Sequence, residues 1–212
     1  MLEGKRVEAT GPKGAKILIL GEAPGETEER HGVPFCGSSG EELGKMLQEA
    51  GIEKAACRLT NVFKLRPPNN KLDSWLCGKK DLPQAYPNLA PLTPGKYLRP
   101  EYLPFLEELE RELGEAHANI IVLAGGTATW ALGLGPIGRN RGVVTGTRFG
   151  KALAIYHPAA VLRNWAWRPI TIADLIKVKV EAEYPELRRP ERELWIEPKI
   201  EEVMEFFSNH LA

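Results

Sequence analysis

The amino-acid sequence predicts a three-layer α/β/α domain around a central four-stranded, mainly parallel sheet. Three observations predict it. Short apolar runs, too brief for helices, recur along the chain at residues 17–20, 58–63, 119–124 and 152–156. Stretches with apolar residues at helical spacing separate them. The chemically capable residues sit where the runs end: Glu22 after the first, Asn61 in the second, His157 after the fourth. Strands alternating with helices imply parallel pairing with both faces covered, and ligands in such sheets bind beyond the carboxyl ends of the strands.

Each element has its own justification. Residues 1–15, with Lys5, Arg6, Gly11, Pro12, Lys13 and Gly14, read as a loose arm. Ile17, Leu18, Ile19 and Leu20 form the first strand, and Gly21-Glu22-Ala23-Pro24-Gly25 breaks it into a tight loop that a ligand can approach closely. Ser39 and Glu42 have capping-box spacing, and Leu43, Met46, Leu47 and Ala50 supply the stripe of the next helix, which Gly51 ends. The second strand runs into the stiff basic turn of residues 64–70. Residues 71–98 are proline-punctuated, with Pro83, Pro87, Pro91 and Pro94, and read as a long irregular insert. Leu106, Leu109 and Leu113 mark a helix over 104–113, ended by Gly114. After the third strand, Gly125-Gly126 turns the chain and Thr127 caps a short helix. Residues 143–148 read as part of a glycine-rich hairpin. The fourth strand leads straight into His157-Pro158. Thr171 and Asp174 have the spacing to start another helix, Pro190 breaks the chain, and residues 200–211 form a last amphipathic helix.

With 212 residues, 43% hydrophobic and 26% charged, the chain suits one globular domain. No apolar run approaches the roughly 20 residues a bilayer crossing needs, and no secretory leader is evident. Cys36, Cys57 and Cys77 contain no CxxC pair, which argues against a disulfide framework or a structural zinc and fits a reducing cytoplasm. Net charge is formally zero, but its distribution is uneven. Residues 116–173 contain no acid, yet hold Arg139, Arg141, Arg148, Lys151, Arg163 and Arg168. Residues 58–80 oppose six basic residues with Asp73 alone. Locally basic segments on a neutral chain predict a polyanion ligand.

Four motifs stand in order: GEAPG from Gly21; GVPFCGSSGEEL from Gly32; TNVFKLRPPNN from Thr60; HPAAVLRN from His157. Together they resemble the uracil-DNA glycosylase superfamily, nearest its family-4 branch, over residues 16–177. The resemblance implies a base-flipping enzyme that hydrolyses the N-glycosidic bond of uracil in DNA, a monomer needing no membrane. It implies roles for individual residues. Gly21 and Ala23 line the substrate loop, and Phe35 offers an apolar face for the base. The Asn61 amide donates to uracil O4 and accepts from N3–H, a pattern cytosine reverses. His157 faces O2, where negative charge gathers on the leaving base. Glu22 lies beneath the sugar, where it stabilises positive charge and orients water. In better-known members an aspartate one place later does this, where this chain has Ala23; Glu26 and Glu28 are alternates, Glu28 reading better as part of a solvated loop. Val161 and Leu162 occupy the place of an intercalating wedge. Lys64, Arg66 and Arg163 are phosphate contacts. Trp165 and Trp167 stack on bases or anchor the core.

One departure is plain. Family-4 members carry an iron–sulfur cluster on four cysteines, two ahead of the first strand and one just before RPP. Residues 1–15 hold none, the residue before Arg66 is Leu65, and Cys77 alone lies near a ligand position. The sequence therefore predicts no cluster and no cofactor. Rival readings are a glycosylase for another deaminated or modified base, a non-catalytic DNA-binding member, and, more distantly, a nucleotide-binding protein using the glycine-proline loop for phosphate.

Overall fold

The computed structural model describes residues 4–82, 89–188 and 197–210. The central sheet contains β1 (Ile17–Gly21), β2 (Arg58–Asn61), β5 (Ile120–Ala124), β6 (Val144–Thr147) and β7 (Gly150–Ile155), in the order β2-β1-β5-β7-β6. The first four anticipated strands are all parallel. The sheet has a fifth strand, not four: β6 runs antiparallel to β7 at the edge. Its sequence, VTGT, carries one apolar residue and lies half-exposed, so it lacks the run that marks a buried strand. A separate pair, β3 (Leu76–Gly78) and β4 (Lys96–Leu98), orders part of the insert.

Alternation along β1 explains the layers. Ile17 and Ile19 pack with Leu43, Met46, Leu47, Val161, Leu175 and Val178. These come from α2 (Ser38–Glu49), α6 (Pro158–Arg163) and α7 (Arg168–Glu181). Leu18 and Leu20 face the other way, toward Phe63, Trp75, Phe105, Leu109 and Leu113. Phe105, Leu109 and Leu113 lie on α3 (Pro104–Ala116), which continues through Gly114 and ends where His117 adopts a left-handed φ of 47°. Within the insert, Trp75 stacks on Tyr102 at 4.4 Å and meets Phe63 edge-on at 5.2 Å. This flank is thus an apolar, aromatic wall; Pro83 and Pro87 of the insert lie outside the described residues.

Three local expectations are corrected by long-range contacts. The arm is not loose along its whole length: Thr10 exchanges both backbone hydrogen bonds with Leu59, and Val7 is buried and bonds to the Lys64 carbonyl. The edge of β2 would otherwise expose unpaired donors and acceptors. The Ser39–Glu42 box does not form, because α2 starts at Ser38 and the Glu42 carboxylate is taken by Arg168 at 2.7 Å. The Thr171–Asp174 box does not form either; α7 starts at Arg168, and Asp174 accepts from Arg141 at 2.7 and 2.9 Å. The terminal helix α8 (Ile200–His210) is present, whereas the break at Pro190 and the end at Leu211 lie outside the described residues.

Candidate active site

The chain leaves β1 toward β2 on one side, and β5 lies on the other. The sheet therefore changes direction between β1 and β5, and a cleft of about 420 Å³ opens beyond the strand ends there. It is lined by Glu22, Ala23 and Phe35, by Asn61, and by Gly125, His157 and Arg163. Residues from four separate sequence segments thus meet in one concavity.

Gly21 closes β1 opposite Asn61. A Cβ there would stand 2.3 Å from Asn61 Oδ1 and 2.6 Å from Phe35 Cζ, so a glycine is what lets the amide and the ring meet at the strand end. Hydrogen bonds from Val62 N–H to Gly21 O and from Phe63 N–H to Glu22 O fix the loop beyond it, each at 3.0 Å. Phe35 is buried with a left-handed φ of 55°, an uncommon conformation for a bulky residue. Lys54 Nζ holds that turn by donating to Phe35 O at 2.8 Å and Gly40 O at 2.9 Å.

Two carboxylates reach the cleft, Glu22 and Glu28. Thr127 Oγ1 donates to Glu22 Oε2 and so orients the carboxylate. Thr127 is therefore not a cap; α4 (Gly126–Ala131) starts after Gly125, and the hydroxyl is used to hold Glu22. Glu28 is not a solvated loop residue either. It is buried and accepts from Gly37 N–H at 3.0 Å, tying α1 (Glu26–His31) to the start of α2. Glu26 is exposed, pairs with Arg30 and Arg66, and does not line the cleft.

His157 follows β7 and caps α6. Its Nδ1 accepts from Ala159 N–H at 3.1 Å, which places the ring proton of a neutral imidazole on Nε2. Enclosure by the cleft walls, and then the nearby Arg163 cation, push its pKa down from 6.5 to about 4. The ring is therefore a neutral donor at pH 7. Gly125 lets it sit there: its φ is +94°, and a Cβ would come within 2.9 Å of His157 Cβ.

The proposed DNA contacts fare unevenly. Arg163 is exposed on the cleft rim and Leu162 is 44% exposed beside it. Val161 is not available as a wedge: it is fully buried, because α6 turns it into the core. Lys64 is not a phosphate contact. It is 1% exposed, pairs with Glu112 and donates to Thr60 Oγ1 and to Asn61 O, the latter at 3.0 Å. Arg66 is committed as well, donating to Asn70 Oδ1 at 2.7 Å and Glu29 at 3.3 Å. The broad basic face contracts in the same way, since Arg141, Arg148, Lys151 and Arg168 all have carboxylate partners. Reading Lys and Arg along the chain missed acids contributed from distant segments.

Asn70, Ser39 and Pro67 line the cleft without having been singled out. Asn70 carried a signal, since it ends the RPPNN turn, and Asn69 and Asn70 both adopt left-handed φ near 55°. For a metal, the donors do not fit. Cys36, Cys57 and Cys77 precede α2, precede β2 and sit in β3, and no group of three or more His, Cys, Asp or Glu side chains among the described residues could hold an ion. A four-thiolate cluster has no ligand set in this chain.

A loop-borne carboxylate, a neutral imidazole donor and an asparagine amide meet beyond the strand ends, which places the chain in the class of α/β proteins with a ligand site at the carboxyl ends of a parallel sheet. The model for the uracil DNA glycosylase superfamily matches residues 8–177, and the chain belongs to that superfamily. Among its relatives, a protein named type-4 uracil-DNA glycosylase from Archaeoglobus fulgidus is 34% identical over 166 residues, covering 74% of this chain and 71% of the relative. A protein of the same name from Pyrobaculum aerophilum is 30% identical over 72% of this chain and 70% of its own. One from Saccharolobus solfataricus is 29% identical over 82% and 74%.

Proposed function

We propose that this chain is a uracil-DNA glycosylase that hydrolyses the N-glycosidic bond of uracil in DNA and thereby initiates base excision repair. The observation that carries this reading is the meeting, in one cleft, of the Asn61 amide, the neutral His157 and the anchored Glu22. A cleft of about 420 Å³ falls at the small end of ligand sites, which run from about 300 to 1,000 Å³. A single flipped base with its sugar suits it better than a dinucleotide.

The chemistry follows from the placement. The flipped base lies against Phe35 and is read at O4 and N3–H by Asn61. The C1′–N1 bond breaks, and its electron pair passes into the pyrimidine ring and onto O2. The His157 Nε2–H donates to that oxygen and lowers the barrier as charge develops. Because His157 is neutral, it stabilises the anion by a hydrogen bond and need not protonate it. Glu22 faces the sugar, which becomes cationic, and its orientation by Thr127 suits it to position a water for attack at C1′. The attacking water loses its proton to the carboxylate, and the uracil anion is neutralised from solvent. Every residue in this scheme comes from one chain, so a monomer suffices. Among the described residues no helix is long and apolar enough to cross a membrane. The unpaired cysteines support action in a reducing compartment, the cytoplasm.

The test is a single-turnover assay on a uracil-containing oligonucleotide, with alkaline strand scission as the readout. The wild-type protein should cut at the uracil position. His157→Ala should slow the step by roughly 100-fold, the cost of about 3 kcal/mol for one lost oxyanion donor. Glu22→Gln, nearly isosteric, should also slow it while the fold persists. Wild-type rates in both variants would remove the scheme.

A further inference from the structure

Trp165 and Trp167 flank one short turn after α6, yet the fold treats them oppositely. Trp167 stacks on Tyr156 at 4.3 Å and 15° and packs against the core. Trp165 stays 59% exposed, which for a ring this large leaves much apolar area in water. It is not a loose side chain. The Arg168 guanidinium lies 5.1 Å from its ring centroid. Arg168 is itself held by Glu42 at 2.7 Å and by both oxygens of Glu49, so its charge is balanced before it meets any ligand. A fixed cation therefore props the indole on one side, and the high exposure leaves the other side open. The ring follows the exposed Leu162 and Arg163 in sequence, and Arg163 and Ala159 of the same helix line the cleft.

We propose that Trp165 is a stacking platform for a nucleobase of the DNA strand next to the flipped uracil. This inference rests on the function proposed above. Flipping one nucleotide breaks its stacking with its neighbour and bares that neighbour's face. An open indole face two residues beyond Arg163 of the cleft rim can cover it, and stacking of this kind is indifferent to base identity. Arg163 supplies the cation for the adjoining phosphate, while the neutralised Arg168 acts only through the ring. Trp165 thereby contributes affinity for the strand and none of the bond-breaking chemistry.

The experiment measures Kd by fluorescence anisotropy for a labelled single-stranded oligonucleotide whose uracil nucleotide carries a 2′-fluorine that blocks cleavage. Trp165→Ala should weaken binding by about 10-fold or more, and Trp165→Phe should recover most of the loss. The slope of log Kd against log salt should stay unchanged in Trp165→Ala, since no charge is removed. A Kd for Trp165→Ala within twofold of wild type would overturn the proposal, as would a phenylalanine variant no better than alanine. A reduced single-turnover rate on a cleavable oligonucleotide at unchanged Kd would overturn it too, by moving Trp165 into catalysis. If the wild-type protein binds the oligonucleotide but excises no uracil, the enzyme reading fails while the Kd comparison still decides the role of Trp165.

Discussion

At the scale of single residues, protonation is set by enclosure. The ring of His157 is surrounded by cleft walls and faces Arg163, and both disfavour the imidazolium. Its folded pKa of about 4 lies below the ordinary 6.5, so the folded state binds the proton less readily than the unfolded chain. The stability this contributes is fully present above 6.5 and is lost as pH falls from 6.5 toward about 4. Urea unfolding at pH 7 and pH 4.5 should show wild type losing more stability than His157→Gln, which has no ring to charge. The single-turnover rate should cross pH 6.5 without an inflection from this ring, which stays neutral there. A rate step centred at 6.5 would mean that the ring titrates as if in water.

At the scale of elements, the cleft end of β2 is braced by a buried ion pair. Lys64 threads back to donate to Thr60, to the carbonyl of Asn61 and to Glu112 on α3. It couples the strand carrying the Asn61 amide to the helix behind it. Its removal leaves Glu112, one of whose oxygens already lacks a partner, with a poorly compensated charge. Lys64→Met should cost about 3 kcal/mol, at the low end for a broken buried pair because Glu112 keeps some solvent contact. Thermal or urea denaturation measures this. Unchanged stability would show that the methionine packs well enough to replace the pair. Helix starts obey the same logic: Glu42 and Asp174 have capping spacing, yet arginines from distant segments claim both carboxylates.

At the scale of the whole molecule, charge and metal content distinguish this chain. Because Lys64, Arg66, Arg141, Arg148, Lys151 and Arg168 are all engaged with acids, the two segments present fewer free cations than their sequences suggest. Arg163 on the cleft rim has no carboxylate partner among the described residues. Arg163→Ala should lower the salt dependence of DNA binding by about one counterion, a slope change of roughly 0.7 on single strands, whereas Lys64→Met should leave the slope intact. Equal slopes in the arginine variant would take Arg163 off the DNA path. The purified protein should also be colourless, with no absorbance near 400 nm and no stoichiometric iron, because the three cysteines, Cys36, Cys57 and Cys77, cannot supply four thiolates. About four irons per chain, as a four-thiolate cluster carries, would contradict that.

The sequence by itself determined the four parallel strands, because short β-branched runs between amphipathic helices have few other ways to bury both faces. It also determined which loops meet, since parallel strands place all their carboxyl ends on one side, and so Glu22, Phe35, Asn61 and His157 were legible as one constellation. It marked residues 143–148 as part of a hairpin, where β6 pairs antiparallel with β7, but not that this hairpin extends the central sheet to five strands; nor did it show the anchoring of the arm at Thr10, which depends on the free edge of β2. Tertiary structure alone decided which charges remain free, because partners such as Glu112 for Lys64 and Glu42 for Arg168 lie 48 and 126 residues away. It alone separated Trp165 from Trp167 and Leu162 from Val161, since neighbouring residues on a short helical turn face opposite ways. The roles of Thr127 and Glu28 were hidden for the same reason. A hydroxyl at a helix start and an acid in a polar loop look alike in sequence wherever they point, and only the packed fold sets Thr127 against Glu22 and Glu28 against Gly37.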